Sequence, residues 1–343
     1  MQIEATTVLT EKERILKSTR PEELFPGNLE TAKDEYKKLA RKWHPDFQNG
    51  STSVMSHINK LYDEAVLLIQ AGKWPKRGIL RLNKEIAGTI SFRFLASRPF
   101  SLGHLYLGET HLSYLVEKKH LRFAERSLSA TESFRYANHK MESEISKYLP
   151  NNVTPYLLKD SRCLIKIPKV KEMLCLRDVL SFYGKRLKME EVAWIGSGMH
   201  NIACYLYWAG IVHSNFSLDS VFINPSTHDV ALLGEWWFAS RRGERLRHLP
   251  ARTVHFLPWE VQVRKEATYL IDLETIRATL RELMGDITGK DIECNPLSEW
   301  AQTPATKKPN KEYANWHSAI KKTFGRRRFV KMALNSETLY SSK

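Results

Sequence analysis

Cysteine is scarce in this chain, four among 343 residues. Cys163, Cys175, Cys204 and Cys294 are scattered with no paired spacing. That excludes a disulfide framework and a cysteine-based zinc site, and it points to free thiols in a reducing compartment. Long apolar runs are missing too: none approaches the ~18 residues that a membrane-spanning helix needs. The N-terminus, with Glu4, Glu11 and Glu13, lacks the basic start and apolar stretch of a secretory signal. A cytoplasmic protein with no membrane partner is the expectation. Acidic residues are the minority, 38 against 53 Lys and Arg, so the net charge is +15. A basic surface attracts nucleic acid, anionic membrane or acidic proteins. Zinc-knuckle spacing, an RNP-type aromatic box and a helix-turn-helix pattern are all lacking. Non-specific polyanion contact is therefore at least as well supported as a dedicated nucleic-acid site.

What is present begins with a hydrophobic content of 42%, enough for a real core, over a length that predicts two or three domains. From Leu29 to Trp43, Ala32, Tyr36, Leu39, Ala40 and Trp43 recur on one helical face. From Met55 to Ile69, so do Ile58, Leu61, Tyr62, Ala65, Leu68 and Ile69. Pro45 lacks an N–H and disfavours helical geometry at His44, so the first helix ends there. Two amphipathic helices joined this way form an antiparallel hairpin with His44-Pro45-Asp46 at its tip. Lys33, Lys37 and Arg41, with Lys38 and Lys42 beside them, make the outer face of the first helix basic. Upstream, Pro21-Glu22-Glu23-Leu24-Phe25 reads as a shortened preceding helix.

Residues 21–72 resemble the J-domain of DnaJ-like co-chaperones. The resemblance implies that His44, Pro45 and Asp46 act on the ATPase of a DnaK-type chaperone, and that Lys33, Lys37, Lys38, Arg41 and Lys42 dock it. No fourth helix is evident; residues 73–84 read as a basic linker after a short N-terminal segment, 1–20.

Further on, Ile90, Phe92 and Phe94 alternate, as do Leu105 and Leu107, and then Leu112, Tyr114 and Val116. This predicts an antiparallel meander. A helix is expected over about 129–149, capped by Ser129 or Thr131, then a strand over 156–168. A long helix is expected from Glu190 to Ala209, and two short strands at Val221–Pro225 and Val230–Leu233. Mostly helix follows from Thr268.

Within this stretch, Gly210-Ile211-Val212-His213-Ser214-Asn215 and Ser220-Val221-Phe222-Ile223 resemble the protein-kinase catalytic loop and its strand. His213 matches the family's His. Asn215 stands at the proton-accepting Asp and Ser220 at the metal-binding Asn. Gly234 or Glu235 stands at the metal-binding Asp of Asp-Phe-Gly, with Glu235 preferred. Pro258 and Glu260 match the Ala-Pro-Glu end of the activation segment. Asp272 opens a helix like the family's central one and is expected to partner His213. The resemblance covers 85–330, with a small lobe at 85–168 and a helical lobe at 169–330. A flexible basic tail is expected at 331–343. Together with the helix around Tyr313–Ile320 and the basic Arg326-Arg327-Arg328, the whole is similar to bacterial and phage proteins that fuse a J-domain to a kinase-like domain.

Phosphoryl transfer needs a carboxylate to take the hydroxyl proton, metal ligands, and a lysine on the third strand. An amide at Asn215 has no useful basicity. Ser220 is a weak ligand, the strand Leu112–Val116 carries no lysine, and Lys118 and Lys119 only follow it. Glu142 or Glu144 then lacks its lysine partner. The glycine-rich loop is reduced to Pro99-Phe100-Ser101-Leu102-Gly103. The resemblance therefore implies a pseudokinase, with no catalytic residues, no metal, no resident cofactor and ATP binding left open. Trp236 and Trp237 are placed to fill its cleft. The fold class expected is α+β, a helical-hairpin J-domain followed by a bilobal kinase-like domain. The function expected is a co-chaperone whose second domain selects an unknown client or anchors the protein. The alternatives are an atypical ATP-dependent kinase or nucleotide transferase, and a basic nucleic-acid-binding protein.

Overall fold

The computed structural model describes residues 12, 15–16, 18, 21, 24–25, 29–47, 50–71, 78–86, 88–246, 248–325 and 331–341. The chain mixes helices with small antiparallel sheets. It divides into two compact units, residues 1–83 with 88–97, and residues 84–87 with 98–343.

The first unit is built on helices α1 (Leu29–Trp43) and α2 (Thr52–Gln70). Glu30 in the first turn of α1 and Arg41 and Lys42 in its last turn complement the helix dipole. Ala32, Leu39 and Trp43 of α1 pack with Val54, Met55, Ile58, Leu61 and Ala65 of α2. A fully buried Ile or Leu contributes about 1.5–3 kcal/mol relative to exposure. Mid-helix contacts set the pairing: Tyr36 stacks on Tyr62 with centroids 4.2 Å apart and donates to Asn59 Oδ1 at 3.0 Å. The core also reaches further back than Pro21. Ile15 is fully buried in it, and the Ser18 carbonyl accepts from His57 Nε2 at 2.7 Å. The segment before 21, expected to lie outside this module, is thus part of its core. Residues 78–83, expected in a linker, form strand β1 (Gly78–Asn83). It pairs with β2 (Thr89–Phe94), with Leu80 opposite Phe92 and Leu82 opposite Ile90. Their alternating apolar side chains give a hairpin one buried face.

A five-stranded sheet follows in the order β3-β4-β5-β7-β6, all of it in the second unit but the first two residues of β3. These strands are β3 (Ala96–Phe100), β4 (Gly103–Leu107), β5 (His111–Val116), β6 (Thr154–Leu157) and β7 (Cys163–Pro168). The single strand expected over 156–168 is this β6–β7 hairpin, turned at Ser161, which holds a left-handed φ of 65°. Between β5 and β6 lie α3 (Leu121–Glu132) and α4 (His139–Ile145). The one helix expected over 129–149 is thus broken and begins earlier. Phe134 packs on Trp236 and Tyr136 stacks on Tyr205, drawing the chain out of helix, and Asn138 caps α4 by accepting from Met141 N at 2.9 Å. Thr131 is no cap; its hydroxyl donates back to the Leu128 carbonyl inside α3.

The helical part follows: β8 (Leu174–Cys175), α5 (Leu176–Tyr183), the long α6 (Met189–Ala209), and β9 (Ile211–Val212). Next come the hairpin β10 (Val221–Asn224) and β11 (Asp229–Leu232), then β12 (Ser240–Arg241), α7 (Ala251–Val254) and α8 (Trp259–Arg264). Helices α9 (Tyr269–Met284), α10 (Pro296–Gln302) and α11 (Pro309–Phe324) complete it. A buried ion pair ties α9 to α11: Arg277 Nη2 donates to Glu312 Oε2 at 2.8 Å, both side chains being 3% exposed or less.

The tail expected to be flexible is docked. Met332, Leu334, Leu339 and Tyr340 are buried, and α12 (Ser336–Ser341) packs on α5. Four apolar groups and a cap, Asn335 Oδ1 accepting from Thr338 N at 2.8 Å, outweigh the cost of ordering it. Arg326, Arg327 and Arg328 lie outside the described residues. No described helix is long and apolar enough to cross a membrane.

Candidate functional site

Two groups of residues stand out, one in each unit. In the first, residues 44–51 link α1 to α2. His44 N still donates to Ala40 O at 2.8 Å; Phe47 N then turns back to His44 O at 3.0 Å and Ser51 N to Trp43 O at 3.1 Å. Gly50 passes so close that a Cβ there would collide with the His44 carbonyl and Pro45 Cα. The loop thus holds His44 and Asp46 outward, with side chains 46% and 83% exposed. His44 Nδ1 lies 3.4 Å from both Asp46 N and Asp46 Oδ2. Its contact with the Asp46 N–H braces the loop. Lys33, Lys37, Lys38, Arg41 and Lys42 are all exposed on α1. Lys37 meets Asp34 at 3.6 Å and Lys38 meets Glu35 at 3.2 Å, exposed pairs that hold little energy.

In the second unit, the loop after β9 is fixed from below by α9. Asp272 Oδ2 accepts from His213 N at 3.1 Å and Oδ1 from Ser214 N at 2.7 Å. The expected partnership of His213 and Asp272 exists, through the backbone N–H of His213. Its ring Nε2 donates instead to Gly234 O at 2.9 Å, leaving Nδ1 to accept from Asn215 N at 3.3 Å. Burial lowers the imidazole to about 4, so it is neutral, and raises the Asp272 carboxyl to about 7 against its two N–H bonds.

Glu235 reaches back into this loop. Its Oε2 accepts from Asn215 Nδ2 and from Ser217 Oγ, each at 2.7 Å. Burial pushes its carboxyl up to about 7. The side chain at 234 is excluded from that role, because a Cβ there would meet the Tyr114 hydroxyl and the Asp219 carbonyl. Ser220 turns its hydroxyl onto Asn215 O at 2.7 Å, away from Glu235. Ser214 and Glu235 both hold left-handed backbone, φ 71° and 63°, which costs a non-glycine residue about 1–2 kcal/mol. Pro258 caps α8, and Glu260 sits exposed in its first turn rather than at the loop. Glu142 and Glu144 are exposed on α4, and Lys118 and Lys119 are exposed after β5.

The seam between the sheet and the helical part is filled by side chains. Trp237 packs against Phe100 and Tyr114, with centroids 5.2 and 5.0 Å away. Trp236 turns the other way, 4.7 Å from the His213 ring, and donates to Leu232 O at 3.0 Å. Arg98 of β3 grips Asp178 of α5 through both carboxylate oxygens, at 2.9 and 3.0 Å. It also stands 3.5 Å from Asp219, which Arg177 clamps at 2.6 Å through two bonds. Arg98 Nη2 meets Cys175 Sγ at 2.9 Å; burial pushes that thiol up to about 12, so it is an uncharged acceptor that itself donates to Leu218 O. From the chain's far end, Tyr340 donates to Asp178 at 3.1 Å and Ser336 donates twice to Glu172, at 2.6 and 2.9 Å.

Arg98, Asp178 and Tyr340 are not singled out by the sequence, and Tyr114 is read there only as a strand residue. The cations that act on Glu235, Arg252 and Arg177, are already paired with Glu282 and Asp219, and the Tyr114 hydroxyl is buried without a partner among the described residues. Among those residues no group of three or more His, Cys, Asp or Glu converges as a metal set would. No family model and no curated protein matches the chain.

Proposed function

We propose that this chain is a J-domain co-chaperone of a DnaK-type ATPase, and that its second unit is a kinase-like body used for binding rather than phosphoryl transfer. The observation that carries the first half is the outward His44-Pro45-Asp46 loop at the end of a helix whose exposed face is basic. Such a face suits an acidic docking surface, and its attraction falls as salt screens it. Reversing Lys37 and Arg41 to Glu should abolish the salt-sensitive part of binding to a DnaK-type chaperone; unchanged binding would contradict the docking face.

The second half rests on the catalytic-loop positions. Asn215, an amide at the proton-accepting position, spends its N–H on Glu235, which supports that reading. A sheet with α3 and α4 between β5 and β6, followed by a helical part carrying a hairpin, supports that reading too. Binding is the role that a filled seam leaves open, and the surface of the unit is where it would occur.

A further inference from the structure

Helix α8 has one face inward. Val261 is 1% exposed and packs with Val212, Ala267 and Ile271. Its opposite face is bare: Trp259 and Val263, one turn apart, are 78% and 59% exposed, and Val254 just before the helix is 51% exposed. Backbone and side-chain bonds tie Val254 to the start of α8. Leu257 N donates to Val254 O at 3.5 Å, and Gln262 Nε2 donates to Leu257 O at 2.9 Å. A tryptophan exposed to this degree beside two valines is the kind of apolar patch that marks an interaction site.

The rim of the patch is basic. Arg264 and Lys265 close α8, and the segment 241–246 runs alongside: Leu246 N donates to Lys265 O at 2.7 Å and Gly243 N to Ala267 O at 2.8 Å. That brings exposed Arg241 and Arg245 beside the helix end, four basic side chains against Glu244, Glu260 and Glu266, while Arg242 turns onto Tyr207. Charge decides the occupant. A second copy would bring the same basic rim and a net charge of +15, and like charges facing each other oppose association. A nucleic acid would satisfy the arginines but has no use for Val254 and Val263. We infer that this face docks an acidic segment of a partner polypeptide that carries large apolar side chains. The inference rests on the proposed function only in naming that partner as the client.

The test is fluorescence anisotropy with the full chain and a labelled peptide of Asp, Glu, Leu and Phe. A peptide of Lys, Leu and Phe and a single-stranded oligonucleotide serve as comparisons. The substituted side chains are exposed, so Trp259→Ser and the pair Arg264→Glu, Lys265→Glu leave the fold intact. The acidic peptide should bind, with Kd weakened about tenfold or more by either change. Stimulation of a DnaK-type ATPase should be unaffected by both, which separates failure here from failure of the co-chaperone reading. Peptide binding indifferent to Trp259→Ser would overturn the inference. So would preference for the oligonucleotide, or a dimer that Trp259→Ser dissociates.

Discussion

Arg98 and Tyr340, from opposite ends of the second unit, hold the same carboxylate: Arg98 takes both oxygens of Asp178, and the Tyr340 hydroxyl donates to Oδ2. Asp178 is 8% exposed as a side chain, so either partner's loss leaves a largely buried charge less satisfied. Arg98→Met should cost about 1.5–3 kcal/mol and Tyr340→Phe about 1 kcal/mol. Because the two bonds share one acceptor, the double variant should depart from additivity by at least about 0.5 kcal/mol. Urea denaturation of the four proteins measures this, and strict additivity would show that the two contacts are independent.

Glu235 makes stability depend on pH in a direction opposite to that of an ordinary paired carboxylate. Its folded value is raised from 4.5 to about 7 by burial, so between those pH values the folded chain keeps a proton the unfolded chain has lost. Stability from this group is present below about 4.5, falls as pH rises to about 7, and then levels. Glu235→Gln keeps an acceptor for Asn215 and Ser217 and removes the buried charge. It should gain on the order of 2–3 kcal/mol at pH 8 and almost nothing at pH 5. Buried His200, lowered to about 3, and His213, lowered to about 4, act the other way below 6.5, so the comparison with wild type at each pH is the decisive reading. A variant less stable than wild type at pH 8 would contradict the assignment.

Glu312→Ala should be among the most damaging single changes. It strands the Arg277 guanidinium, which lies 1% exposed and 3.9 Å from the Trp300 ring, and removes the acceptor for Lys307 N. Breaking a buried pair from one side costs about 3–5 kcal/mol. Lys38→Ala, which breaks an exposed pair, should change stability by less than about 0.5 kcal/mol. Similar effects from the two would refute the distinction.

Millimolar ATP with magnesium should leave the Tm unchanged. A ligand of the folded state raises it by mass action, and here Trp237, Tyr114 and the Arg98 lock fill the seam. A reproducible upward shift would favour the ATP-dependent alternative.

Much of this architecture was legible in local pattern. The bounds of α1 and the buried stripes of α1 and α2 follow from apolar spacing, and α6 from its uninterrupted helical stretch ending at Gly210. Other features were not legible, although Trp236 and Trp237 were expected to fill the cleft and Trp237 packs in the seam. The break at 133–138 depends on aromatic partners, Trp236 and Tyr205, about a hundred or fewer residues away. The docking of α12 depends on Glu172 and Asp178, and the filling of the seam on Arg98 meeting α5. Each is a non-local contact, invisible to periodicity. The strand β1 was hidden by the basic residues just before it, which read as linker. In the loop after β9, the bond from Asn215 to Glu235 and the lack of room for a Cβ at Gly234 come from the fold around them, not from the local sequence.

The central claim is that His44-Pro45-Asp46 acts on a DnaK-type ATPase. It is tested most directly by steady-state ATP hydrolysis of such a chaperone with this chain and with its His44→Gln variant. The account predicts stimulation by the wild type and its loss in the variant, with circular dichroism unchanged because His44 is on an exposed loop. Equal stimulation by both, or by neither, would contradict it.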